Sequence, residues 1–216
     1  LVVTQPDRPK GRGRESTPPP VKRFASENNI PILQPKKCTS LETIKTLGAL
    51  KTDVFIIVAY GQILDNNLLS LPKYFCINLH SSLLPKYRGA APINWAIING
   101  EIETGVTTMK MNAGLDTGDI LLSSKVLINE HDDAQSLHDT LAHIGSSLIL
   151  DTLNQLDSGS LKGVCQDQKL ASYAPKLKKE DGLIEWNQPA IKIHNLVRGL
   201  TPWPGAFSFL ESKRFK

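Results

Sequence analysis

Cys76-Ile77-Asn78-Leu79-His80-Ser81-Ser82-Leu83-Leu84-Pro85-Lys86-Tyr87-Arg88-Gly89-Ala90-Ala91 decides how the rest of this chain reads. It follows a turn at Pro72-Lys73, begins as a strand, and runs into a loop rich in Ser, Pro and Gly. Alternate side chains of a strand share a face, so Asn78 and His80 point one way and Ile77 and Leu79 the other. An amide and an imidazole at the carboxyl end of a strand suit a crevice better than a core. In a parallel sheet, that crevice is where ligands bind.

Working outward, a second polar cluster, Asn112-Ala113-Gly114-Leu115-Asp116-Thr117-Gly118-Asp119, follows the strand-like run Val106–Met111. Two adjacent strands, one ending in Asn/His and the other in a glycine-flanked Asp, can bring amide, imidazole and carboxylate together. Such a trio suits acyl transfer. Taken alone, an Asn/His pair at a strand end is also what a structural polar contact looks like.

At these positions the chain resembles the 10-formyltetrahydrofolate-dependent formyltransferases. The likeness rests on Asn78-x-His80, on Ser82-Leu83-Leu84-Pro85-Lys86-Tyr87-Arg88-Gly89 and on Asp116-Thr117-Gly118-Asp119. Thr4–Gly13 and Pro202-Trp203-Pro204-Gly205-Ala206 resemble the branch acting on methionyl-tRNA. Two departures are Ser81, where the family often has Gly, and Asp65, where Pro commonly follows Ile-Leu. The resemblance implies an α/β fold: a Rossmann-like, mostly parallel sheet in a formyltransferase domain, then the start of a small OB-like β-barrel. It implies 10-formyltetrahydrofolate as co-substrate, initiator methionyl-tRNA as partner, and Asn78, His80 and Asp116 as the catalytic set. Tyr60, Gly61, Ile63 and Leu64, with Ser82, Leu83, Leu84 and Pro85, are implied to hold the folate, the backbone of the first turn serving the pterin. The Leu pair on its own reads as core.

The 216 residues suffice for one domain and part of another, and 40% hydrophobic with 21% charged residues is an ordinary globular composition. No apolar run approaches the ~20 residues a membrane span needs. Leu1-Val2-Val3-Thr4 lacks the pattern of a signal peptide. Cys38, Cys76 and Cys165 lie far apart, as free thiols of a cytoplasmic protein do. Leu1-Val2-Val3 reads as the tail of a strand, and the chain stops just after a strand-like run, Ala206–Leu210. With the resemblance, a fragment of a monomer is expected. Residues 1–157 would be a catalytic domain missing its first strand and helix, 158–185 a linker, and 186–216 the start of a tRNA-binding domain.

Residues 5–23 carry Arg8, Lys10, Arg12, Arg14, Lys22 and Arg23 among prolines and glycines, which predicts an exposed loop without regular structure. Either it is a solvated linker, or it is an arm for phosphates. The resemblance favours the RNA-binding reading, with Arg8, Lys10, Arg12 and Arg14 as contacts. Lys86 and Arg88 suit either RNA phosphates or a cap on their own loop. Further expectations are a helix near Pro20–Asn28 and another over Ser40–Leu50 behind a Thr39-x-x-Glu42 capping box. A strand apolar on both faces is expected at Asp53–Ala59, then the Tyr60–Leu64 turn. A helix from Pro92 to Asn99 ended by Gly100 precedes strands at Val106–Met111 and Ile120–Ile128. Leu137, Leu141, Ile144 and Leu148 form one helix face. His131-Asp132-Asp133 reads as its capping turn rather than a metal site, and no metal is expected anywhere.

Formyl transfer creates a tetrahedral oxyanion, which needs aimed donors. Asn78 and protonated His80 could supply them, and Asp116 could relay the proton of the attacking amine. Three readings stand at this point. One is formylation of methionine on initiator tRNA. Another is a relative acting on a small amine such as glycinamide ribonucleotide or an amino-sugar nucleotide. The third is an RNA-binding protein without catalysis. The basic arm and the Trp-Pro-Gly turn disfavour the second, and the intact trio the third.

Overall fold

The computed structural model describes residues 1–10 and 15–216, in two compact units, Leu1–Cys76 and Ile77–Lys216. In the first, β1 (Val2–Val3) pairs in parallel with β4 (Ile32–Leu33). Between them come β2 (Arg8–Lys10), β3 (Glu15–Thr17) and α1 (Pro20–Glu27). β2 and β3 pair antiparallel, so the expectation of a stretch without regular structure is corrected at residues 8–10 and 15–17. Pro9 is compatible with it, because a fixed extended φ suits a short edge strand. Arg12 and Arg14 lie outside the described residues. α2 (Leu41–Ala49) is capped by Ser40, whose Oγ accepts from Thr43 N at 3.3 Å. The cap is therefore Ser40 and not Thr39, one residue later than the sequence suggested.

β5 (Val54–Val58) leads to α3 (Asn66–Leu69). Phe55 packs with Cys38, Leu47 and Leu68, but Ile56 and Val58 are 38% and 52% exposed. One face of β5 is thus open, which corrects the reading of a strand buried on both sides. Asp65, which departs from the pattern the chain otherwise resembles, caps α3 by accepting from Leu68 N at 3.0 Å.

The strand β6 (Phe75–His80) leads into the second unit. After it come β7 (Arg88–Gly89), α4 (Pro92–Ile98), β8 (Glu103–Lys110), β9 (Ile120–Leu127) and α5 (Ala134–Asp157). β10 (Tyr173–Ala174), α6 (Ala190–Gly199), β11 (Ser208–Leu210) and β12 (Lys213–Phe215) complete it. β6, β8 and β9 pair antiparallel in that order, and β7 pairs parallel to β10. α5 covers this sheet with Leu137, Leu141 and Leu148, all buried, as the spacing predicts. Each such side chain contributes roughly 1.5–3 kcal/mol. Leu79 of β6 fits against Gly145, where a Cβ would come within 2.6 Å of it. The apolar face of β6 therefore meets α5, and Asn78 and His80 face away. Asp133 caps α5 in a box with Ser136.

Residues 158–185, expected as a linker, are docked over much of their length. Val164 bridges to Ile120, β10 lies on β7, and the Pro175 carbonyl accepts Trp95 Nε1–H at 2.8 Å. α6 packs on α4, with Asn94 Nδ2 donating to the Gly199 carbonyl at 2.8 Å.

Candidate active site

His80 ends β6 opposite Thr107, in the middle of β8. Because the pairing is antiparallel, β8 ends beside Ile77, about 10 Å back along β6. The picture of two strand ends side by side is therefore corrected: the 111–119 loop must carry Asp116 back. It does so by closing on itself, with Lys110 N–H donating to the Asp119 carbonyl at 2.9 Å. Gly118 lies so close under the Lys110 carbonyl that any Cβ there would collide with it. The result puts Asp116 Oδ2 3.7 Å from His80 Nδ1, with side chains only 14% and 7% exposed.

The partners of His80 fix its tautomer. Nε2 is 2.9 Å from the Tyr87 carbonyl, which can only accept, so Nε2 carries a proton. Nδ1 is left facing Asp116 across a gap too wide for a hydrogen bond. Tyr87 is held in the left-handed region, φ 60°, by bonds at both ends. Its N–H donates to Ser172 Oγ at 2.9 Å, and its hydroxyl donates to Glu101 at 2.8 Å. Burial pushes that phenol up to about 12. Asp116, also left-handed at φ 51°, accepts the Gly89 N–H on Oδ2 at 2.9 Å. Asn78 is half-buried on the same strand face as His80, and its amide has no hydrogen-bond partner among the described residues.

The loop after His80 is internally built. Ser82 is fully buried and gives its hydroxyl to the Lys86 carbonyl at 2.6 Å, while Leu84 is buried and Leu83 lies over Gly105. Arg88 is only 9% exposed and spends Nε and Nη2 on Gln166 and Nη1 on Gln168. It braces its own loop. Lys86 stays exposed beside Glu101 at 3.5 Å.

In the first unit, the Tyr60–Leu64 turn has a left-handed Gly61, φ 77°. Its Tyr60 carbonyl accepts Gln5 Nε2–H at 2.9 Å, its Ile63 carbonyl faces the Cys38 thiol, and the Ile63 side chain is 89% exposed. Arg8 bonds Gln5, and Lys22 is paired with Asp7 at 2.7 Å, so Lys22 is already committed.

All three thiols are pushed up: Cys76 to about 11 and Cys38 by burial, Cys165 by its contact with Asp119. None is primed as a nucleophile. Among the described residues, no group of three or more His, Cys, Asp or Glu could hold a metal ion. Sequence reasoning missed Gln166, Ser172 and the Gly89 amide, which fix Asp116 and Tyr87. Nothing in the local pattern marks them.

A buried imidazole–carboxylate pair beside an unpartnered amide, on an α/β scaffold, has the donors and the base that acyl transfer requires. The chain belongs to the formyl transferase family: residues 1–153 match the model for formyl transferase and 176–216 that for its C-terminal domain. The Rossmann-like, mostly parallel class expected from the sequence is that of this family. The chain is 56% identical over 215 residues to the methionyl-tRNA formyltransferase of Geobacter metallireducens and 54% to that of Geobacter sulfurreducens. In both cases all of this chain is covered, with 69% and 68% of the relative. Among solved structures it is similar to the Helicobacter canadensis N-formyltransferase in complex with folinic acid and dTDP-3-aminofucose. That match has TM-score 0.74 at 22% identity, over 97% of this chain and 72% of the other. It is also similar to Aquifex aeolicus HypX in complex with tetrahydrofolic acid, with TM-score 0.70 at 19% identity, over 88% of this chain and 33% of the other. At such identities the two structures speak for the fold alone.

Proposed function

We propose that this formyltransferase moves the formyl group of 10-formyltetrahydrofolate onto the α-amine of methionine carried by initiator tRNA, in the cytoplasm. The observation that carries the reading is the His80–Asp116 pair, 3.7 Å apart, in a chain more than half identical along its length to methionyl-tRNA formyltransferases. The amine nitrogen attacks the formyl carbon, and the bond from that carbon to the folate nitrogen breaks. The Asn78 amide and His80 Nδ1–H, when the ring is protonated, stabilise the oxyanion between these steps. The second Asp116 carboxylate oxygen takes the proton leaving the amine, directly or through water, and the folate nitrogen ends with one proton. With no thiol primed, transfer is direct.

The folate-binding roles of Tyr60, Gly61, Ile63, Leu64 and Ser82–Pro85 rest on the family resemblance. Since the Ser82 hydroxyl is spent inside its loop, contact from that residue falls to its backbone. The same resemblance makes Arg8, Lys10, Arg12 and Arg14 tRNA contacts. It divides the chain into a catalytic part (1–157), a connecting part (158–185) and the start of a tRNA-binding part (186–216). The test is the full-length protein with 10-formyltetrahydrofolate and charged initiator tRNA. Formylmethionyl-tRNA is the expected product. Transfer to an amino-sugar nucleotide instead, or none at all, would overturn the reading.

A further inference from the structure

Gln166 lies 50 residues past Asp116, outside both stretches that match the family models. It is 8% exposed, and both ends of its amide are used. Nε2 donates to the carbonyls of Asp116 at 2.8 Å and Gly118 at 2.7 Å. Oε1 accepts Nε and Nη2 of Arg88 at 3.0 and 2.6 Å. One side chain thus ties two carbonyls of the 116–118 turn to a buried guanidinium. Asp116 sits at φ 51°, a conformation that residues other than glycine keep only where their surroundings impose it. The other hold on Asp116 is the Gly89 N–H, and Gly89 follows Arg88 in β7. Both anchors of the carboxylate therefore pass through β7.

We propose that Gln166, oriented by Arg88, is the positioning residue that aims the Asp116 carboxylate at His80 and so sets turnover. This rests on the reading that Asp116 serves formyl transfer. A neutral amide is required because the position must accept from a cation at one end and donate to two carbonyls at the other. Gln166→Glu separates the ends: a carboxylate keeps Arg88 but repels both carbonyls.

In the full-length protein, Gln166→Glu should melt within a few degrees of wild type. Its kcat should fall about 10- to 100-fold, with KM for formylfolate and for charged tRNA within about twofold. In an Asp116→Ala background the same change should cost less than about twofold, because the group being aimed is gone. A merely structural role would lower activity equally in both backgrounds. Hydrogen exchange of the Gly89 amide reads the carboxylate without any reaction. It should quicken about tenfold in Gln166→Glu while β8 and α5 keep their protection. If Gln166→Glu does not fold, Gln166→Ala is read in the same way. Undiminished kcat, a full penalty in the Asp116→Ala background, or unchanged Gly89 exchange would overturn the proposal. A wild-type protein that transfers no formyl group would instead fail the functional reading, and Gly89 exchange would then decide alone.

Discussion

Two stretches of this chain look alike on paper: the basic segment from Gln5 to Thr17 and the Asn112–Asp119 loop are both polar and glycine-containing. The loop is latched at its neck by Lys110 and Asp119, inside by Thr117 on Asn112, and from outside by Gly89 and Gln166. The segment is fastened at its base, where Asp7 accepts from Lys22 and Gln34 and where Gln5 accepts from Arg8 and donates to the Tyr60 carbonyl. Composition does not separate a built site from a basic arm. The destination of the backbone and carboxylate hydrogen bonds does.

The largest test of that contrast removes the chemistry. Asn78→Ala, His80→Ala and Asp116→Ala should each lower formylation about 10²–10³-fold with the fold intact by circular dichroism. Near-normal turnover for His80→Ala would break the site assignment. Next, Gly118→Ala attacks the latch: its Cβ runs into the Lys110 carbonyl. It should destabilise the protein by about 1–3 kcal/mol in a denaturant melt and cut turnover as well.

On the other side, neutralising Arg8, Lys10, Arg12 and Arg14 together should weaken tRNA binding and leave calorimetric folate affinity unchanged. The log–log salt slope should flatten by ~0.7–0.9 per lost phosphate contact. An unchanged slope would make the arm a solvated loop. The smallest effect belongs to Asp7, whose carboxyl the Gln34 hydrogen bond and then Lys22 hold below the usual range. With its folded value depressed, its contribution is complete above the ordinary carboxylate value, about 3.9, and is lost as pH falls through the lower folded one. Protease nicking beside Asp7, at residues 5–10, should thus increase only under strongly acidic conditions, and Asp7→Asn should remove that dependence.

Local rules reached far in this sequence. The 137–148 stripe, the Asp133 cap, the Pro92 start and the Asn78/His80 alternation are all short-range patterns, and the structure places each where spacing put it. What escaped depends on pairing sense and distance in sequence. Antiparallel β6 and β8 make Asp116 return by a loop, and no window of sequence holds both Asp116 and Gln166. Arg88 looked like a phosphate contact or a loop cap because its partners, Gln166 and Gln168, are 78 and 80 residues away. Ser40 displaced Thr39 as cap because either residue can serve and only geometry chooses.

The two-residue ladder between β7 and β10 bears on how this protein can be recombined. Gly89, at φ 115°, has the Tyr173 ring and the Ala174 carbonyl where a side chain would be, at 2.6 and 2.7 Å. A graft that exchanges the C-terminal region with a junction near residue 157 would therefore carry away a wall of the proposed site. A donor segment with a different register here would meet a glycine that has no room to adapt. Modular swaps in this architecture should place their seam beyond Pro175, keeping 158–175 with the sheet it completes.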